Sequence, residues 1–454
     1  MKRIFALTVS SIFLVLALAG CGMNKSMSPQ SPQGASQVMV TMGDAPSDRV
    51  IAFALTINSM TLAGGSNPTV ISTATPVEFV RNAGTFQPLV NAQVPTGTYT
   101  GATIMVSNPK VVAIDATTHL PVQLTAALST TTVNVMFNTP ITISSSNNAT
   151  TVETDFDLDL ANSVTISGNT ATINPVFHVS SKTVHDQDND DFKDIHGVVT
   201  MVSAPTFSVA SRQMDQIFNF TTDSNTRFDG ISGMSQLAAG MIVEVDAKLQ
   251  ADGTLLARRV RVDEDSDDGV ETEGFVTSVT GSPATQFMLN DQFDSGPIAT
   301  LLNLLGVGTA ITVDVNSNTA FSVSDTDEIN FNGLSLNFDA NNLDKAQRVD
   351  ASTMHQESFQ PSGMVLTADR VRLLQQSLNG SASNVSGSTF TLTMASDSAF
   401  ALLSGQTTVT VQIVSGTQLD MTVANGNTVR VRGLLFFNGS AGAYTLVASH
   451  ISQQ

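Results

Sequence analysis

Along most of this chain apolar and polar residues alternate with a period of two, the spacing that turns one face of a β-strand into a core. Val38-Met39-Val40-Thr41-Met42 and Val50-Ile51-Ala52-Phe53-Ala54-Leu55-Thr56-Ile57 read as the first two strands. Asp44-Ala45-Pro46-Ser47 reads as the turn between them. Val94-Pro95-Thr96-Gly97-Thr98-Tyr99 predicts a corner leading into a strand at Thr103-Ile104-Met105-Val106. Further strands over 132–137, 151–160 and 170–179 complete a predicted β-sandwich spanning 38–181.

The first residues follow another pattern. Lys2 and Arg3 precede a run from Ile4 to Ala19 that is apolar apart from Thr8, Ser10 and Ser11. The run is short of the roughly 20 apolar residues a spanning helix needs, and has the length and flanks of a signal-peptide core. Leu18-Ala19-Gly20-Cys21 closes it and resembles the bacterial lipobox, which implies removal of residues 1–20 and lipid attachment at Cys21. Cys21 is the only cysteine, so the chain has no internal disulfide framework to give that thiol another purpose. Gly22 rather than an acidic residue follows, which by resemblance to sorting in two-membrane bacteria favours the outer membrane. Residues 21–37, rich in Ser, Pro, Gln, Gly and Met, read as a flexible tether. The expected partners are the membrane, through that lipid, and an envelope protein.

Behind the sandwich one pattern recurs three times: a Gly-led strand, a Phe-x-aliphatic strand, a Thr-x-aromatic or Thr-x-Leu step, a central strand, then Leu-x-Ala-x-x-aliphatic. The copies span 195–263, 273–374 and 379–453. Leu237 to Val243, Leu343 to Val349 and Val423 to Val429 are each six apart, and Ala257 to Val260, Ala368 to Val371 and Ala448 to Ile451 each three apart. Gly240 and Gly426 stand where a turn must admit positive φ, and Ala346 takes that place in the second copy. The second copy also carries an insertion between Asn290 and Thr309. Five or six short strands per copy predict a small closed barrel of the OB type.

Two resemblances follow. Gly43-Asp44-Ala45-Pro46, the Val94 to Tyr99 corner, and Asp155-Phe156-Asp157 before Ser163 and Asn174-Pro175-Val176 together resemble the bacterial family called domain of unknown function 4382. The three copies resemble the family called domain of unknown function 5666, which is often tandem on bacterial lipoproteins. The implied fold class is all-β, a transthyretin-like sandwich followed by three OB-like barrels. Neither family implies an activity.

A net charge of −19 repels phosphate backbones, so nucleic acid is expected to be excluded as a partner. Trp is absent and Tyr occurs twice, which argues against a sugar-stacking platform, although 24 Phe could partly substitute. No nucleophile elbow, zinc-protease helix, phosphate loop or dinucleotide fingerprint occurs, and His119, His178, His185, His196, His355 and His450 are scattered. The chain is therefore expected not to be an enzyme. Two acidic runs lie at domain junctions. The first offers Asp186, Asp188, Asp190 and Asp194, the second Asp263, Asp265 and Asp267. Alternating carboxylates suit a hard cation such as Ca²⁺ stiffening the joints, and equally suit a solvated, self-repelling linker. Asp44, Asp155 and Asp157 read either as a further site or as turn and strand-end residues satisfying backbone N–H groups. The resulting expectation is an exported lipoprotein of the cell envelope with a non-catalytic structural or binding role, or alternatively a surface protein that binds a glycan or metal ion.

Overall fold

A computed structural model describes residues 34–45, 49–144, 151–186, 191–211, 216–262, 270–295, 307–324, 329–331, 333–353, 355 and 358–453. The regular structure of the described chain is nearly all β, with only short helical turns. Strands Ala35–Ala45 and Phe86–Pro95 pair antiparallel, and Val152–Asp159 runs parallel on the other side of Ala35–Ala45. Phe177–Thr183 completes this four-stranded sheet. The facing eight-stranded sheet is built around the long antiparallel pair Val50–Gly64 and Gly97–Ile114. Between the sheets lie Phe53, Phe79, Tyr99 and Phe156, all fully buried. The Tyr99 hydroxyl donates to the Pro95 carbonyl at 2.7 Å, which fixes the predicted corner and satisfies the one polar atom that this buried ring carries.

Asp44 and Ala45 do not form a turn. Both belong to the strand Ala35–Ala45, and Pro46 and Ser47 lie outside the described residues. The Asp44 side chain is buried and neither carboxylate oxygen has a hydrogen-bond partner. Burial, then the neighbouring charges of Asp157 and Glu78, push its carboxyl well above the usual range. Asp155 is satisfied instead, accepting from the hydroxyls of Thr41 and Ser180.

The third copy is a closed barrel of five strands, in ring order Gln375–Ser386, Thr389–Thr393, Thr408–Leu419, Ala443–Gln453 and Thr428–Asn438. The first repeats that order with Asp191–Ser203, Thr206–Ser211, Gln216–Thr221, Leu255–Val262 and Ile242–Leu249. A short strand, Arg227–Asp229, extends the parallel pairing onto Leu255–Val262. In the second copy Val270–Gly281, Ala284–Ser295, Ala310–Asp314 and Arg348–Thr353 keep the same places, but the last strand is broken into Val365–Thr367 and Arg370–Leu373. Besides the extra length foreseen near 290–309, the described residues between Val323 and Arg348 form a second excursion, and it returns Ile329, Phe338 and Leu343 to the core.

The repeated residues have one physical reason. Thr226, Thr319 and Thr417 each donate a side-chain hydrogen bond of 2.7 Å to the carbonyl of Ala257, Ala368 and Ala448 respectively. Each hydroxyl also accepts a backbone N–H three residues earlier, from Asp223, Asn316 and Val414. One hydroxyl therefore ties the third strand to the last at the point where the parallel pairing shifts. The turn residues Gly240, Ala346 and Gly426 all have positive φ, of 95°, 66° and 88°, and their N–H groups bond back to Val199, Val276 and Ala382 of the first strands. Thr319→Val keeps the shape but removes the donor and acceptor, so it should lower unfolding free energy by about 1–3 kcal/mol. Urea unfolding of the variant checks this, and an unchanged midpoint would refute the role given to the hydroxyl.

Candidate functional site: a buried charge hub and an open cleft

Charged residues of one short turn and three strands meet where the sandwich abuts the barrels. Arg81, on the short turn Val80–Asn82, donates through Nε to both oxygens of Glu273 at 3.0 and 3.1 Å. Glu273 also pairs with Arg348 of the second barrel. Arg348 Nη1 donates to the Gln375 carbonyl at 2.7 Å, and its Nε donates to Gln292, whose amide reaches the Ile51 carbonyl of the sandwich at 2.7 Å. All three charged side chains are 6–7% exposed, so the desolvation cost is borne by mutual pairing. Arg432 and Ser377 of the third barrel both donate to the Ala83 carbonyl, at 3.0 and 2.7 Å. The first barrel joins through Gln87 to the Lys193 carbonyl at 2.7 Å and Asn91 to the Gly253 carbonyl at 2.8 Å. The sandwich thus makes buried contacts with each barrel.

A second group adjoins this one. Glu244 is paired with Arg261, lies 3.5 Å from Arg372 and 3.8 Å from His196 Nε2. Burial opposes its charge, but Arg261, Arg372, His196 and a hydrogen bond with Asp194 together hold its carboxyl down at about 2. Arg372 pairs with Asp350 and reaches Glu271 at 3.9 Å. Carboxylate oxygens of Asp194, Glu244 and Asp246 all lie within 4.8 Å of one another. They are close enough to share a cation or a proton. Burial, then the charges of Asp194 and Glu244, push Asp246 up to about 8. Burial likewise pushes Glu78 up to about 7, against the opposing N–H donors of Arg81 and Phe53. The His196 ring is pushed below its usual range, chiefly by burial.

The residues proposed for calcium are placed differently. Asp194 stands in the carboxylate group just described. Asp186 instead accepts from the Ala251 N–H at 2.9 Å, and its carbonyl accepts from Lys248. Asp188, Asp190, Asp263, Asp265 and Asp267 lie outside the described residues, as does Cys21. The hub itself, Arg81, Glu273, Arg348, Glu244, Asp246 and Arg372, was not anticipated.

Between the first and second barrels the charged group opens into a cleft of about 420 Å³. Asp229, Glu244 and Arg261 line the first barrel's side, and Glu271, Asp369, Arg370 and Arg372 the second's.

Against known proteins, no curated sequence matches the chain. Solved structures are similar at low level, and two serve as examples. One is described as Drosophila Unr CSD456, at 11% identity and TM-score 0.13, covering 57% of this chain and 97% of that one. The other is a multidomain protein with nucleic acid binding domains from Streptococcus pneumoniae TIGR4, at 12% identity and TM-score 0.10, covering 56% and 72%. The exclusion of nucleic acid drawn from net charge is corrected by these findings and is withdrawn. Likenesses this weak carry no argument about what the chain itself binds. Within the first barrel, residues 196–261 match the model of a family described as a domain of unknown function, DUF5666.

Proposed function

We propose that the protein is a lipid-anchored, non-catalytic module of the bacterial envelope that holds a sandwich and three barrels as one rigid body away from a membrane. The observation that carries this reading is the buried Arg81–Glu273–Arg348 bridge, supported by the contacts that Ala83 accepts from the third barrel. Chains of independent binding domains are usually joined by small, polar, mobile interfaces. A buried ion pair between domains is strongly unfavourable unless both partners stay in place, so it suits a body that does not flex. Attachment rests on the sequence Leu18-Ala19-Gly20-Cys21. Metabolic labelling with a radioactive fatty acid tests it. The wild type should carry label and sediment with membranes, and Cys21→Ser should lose both. An unlabelled, soluble wild type would overturn the anchored reading.

A further inference from the structure

The first and third barrels carry an equivalent ion pair, and the middle one lacks half of it. Two residues past the repeated alanine stands a cation: Arg259 in the first barrel, Arg370 in the second, His450 in the third. Three residues past the repeated threonine stands its partner. In the first barrel this is Asp229, paired with Arg259; in the third it is Asp420, 2.8 Å from His450. The second barrel has Ser322 at that place, and it is exposed. The pairing registers confirm the equivalence: Arg227 lies opposite Arg259, Ala320 opposite Arg370 and Gln418 opposite His450.

Arg370 is consequently left over. Among the described residues it makes no hydrogen bond or close ion pair, and its Nε is buried without an acceptor. Asp350 senses its charge but is bound to Arg372. Arg370 also lines the 420 Å³ cleft, a volume within the roughly 300–1,000 Å³ of small-molecule sites. A planar guanidinium with an unsatisfied buried nitrogen is made for a carboxylate.

The rest of the wall narrows the choice. Arg261 and Arg372 are spent on Glu244, and Asp229 is spent on Arg227 and Arg259. Four carboxylates face three guanidiniums across the cleft, so a ligand carrying only negative charge meets more repulsion than attraction. No Phe, Tyr or Trp lines the cleft to stack a sugar or base, and the one ring there, His196, is buried beside Glu244. We propose that this cleft binds a zwitterionic small molecule of amino-acid or dipeptide size, its carboxylate on Arg370 and its ammonium toward the acidic wall. The inference is independent of the lipid anchor.

The test uses the purified full-length protein in detergent, titrated calorimetrically with L-alanine and L-alanyl-L-alanine, and with acetate and ethylamine as the separated charges. At least one zwitterion should bind in the millimolar range or tighter, with acetate and ethylamine each at least tenfold weaker. Arg370→Gln should abolish that binding. Ser322→Asp, which rebuilds the pair of the other barrels, should weaken it at least tenfold while raising or preserving the melting temperature, which separates blockade from misfolding. No binding of either zwitterion, or equal binding to wild type and Ser322→Asp, would overturn the proposal.

Discussion

Glu273→Ala should lower the free energy of unfolding by about 3–5 kcal/mol, the usual consequence of stranding buried cations by removing their partner. Two guanidiniums lose their shared carboxylate here rather than one, since Arg81 and Arg348 both pair with Glu273. Burial already pushes Arg348 down to about 9, with the nearby charges of Arg81 and Arg432 adding to it, so the loss of Glu273 leaves three cations in mutual repulsion. Replacing all three residues of the bridge by apolar residues of similar volume should cost much less than the single change. That comparison matters because it separates an uncompensated charge from a simple packing defect. Urea unfolding at pH 6 reads both variants. A Glu273→Ala effect below about 1 kcal/mol would mean that water reaches the bridge and that the domains are not clamped by it.

Stability should also fall as pH rises through neutrality, by several kcal/mol between pH 5 and pH 8. Glu78, at about 7, and Asp246, at about 8, both keep protons in the folded chain that the unfolded chain releases near pH 4. The folded state therefore binds more protons across that window, and each such group removes about 1.4 kcal/mol of stability per pH unit. Their contribution is complete below about pH 4 and is lost as pH climbs through 7 to 8. Glu244 has the opposite sign: held near 2, it contributes above its ordinary range and is lost in strong acid. The two trends place the optimum in acid, at roughly pH 4–4.5, where Glu244 is ionised and the other two contributions have barely begun to fall. Asp246→Asn should flatten the alkaline slope by about one proton's worth and be more stable than wild type at pH 8.5. A stability that is level or rising from pH 5 to pH 8 would contradict the buried carboxyls.

The barrels were legible in the sequence because what builds them is local. Alternation sets each strand, positive φ selects Gly240 and Gly426, and a threonine three strands into the ring must find the carbonyl of an alanine in the last. Ala346 showed that the backbone conformation, not the residue, is what repeats. The hub was not legible for a reason that alternation itself creates. Glu244 and Asp246 alternate with Val243 and Val245, and Glu271 and Glu273 stand on one face of their strand, the ordinary signature of a face turned to water. Here the outward faces are covered by neighbouring domains, and their partners are remote in sequence: Arg81 and Glu273 are 192 residues apart. One signal was available. Arg370-Val371-Arg372 places two arginines on one face of a strand in a chain with only 20 Lys and Arg in total, and such concentration of a scarce charge asks for partners. Asp44 was misread for a related reason, since Asp before Ala-Pro is turn chemistry locally and only the packing of Glu78 and Asp157 around it reveals a buried strand end.

The central claim is that buried charges weld the sandwich and three barrels into one cooperative unit, and differential scanning calorimetry at pH 6 tests it most directly. The account predicts a single transition whose calorimetric and van't Hoff enthalpies agree, and its splitting into separate transitions in Glu273→Ala. Two or more resolved transitions in the wild type, with the sandwich and barrels melting independently, would contradict it.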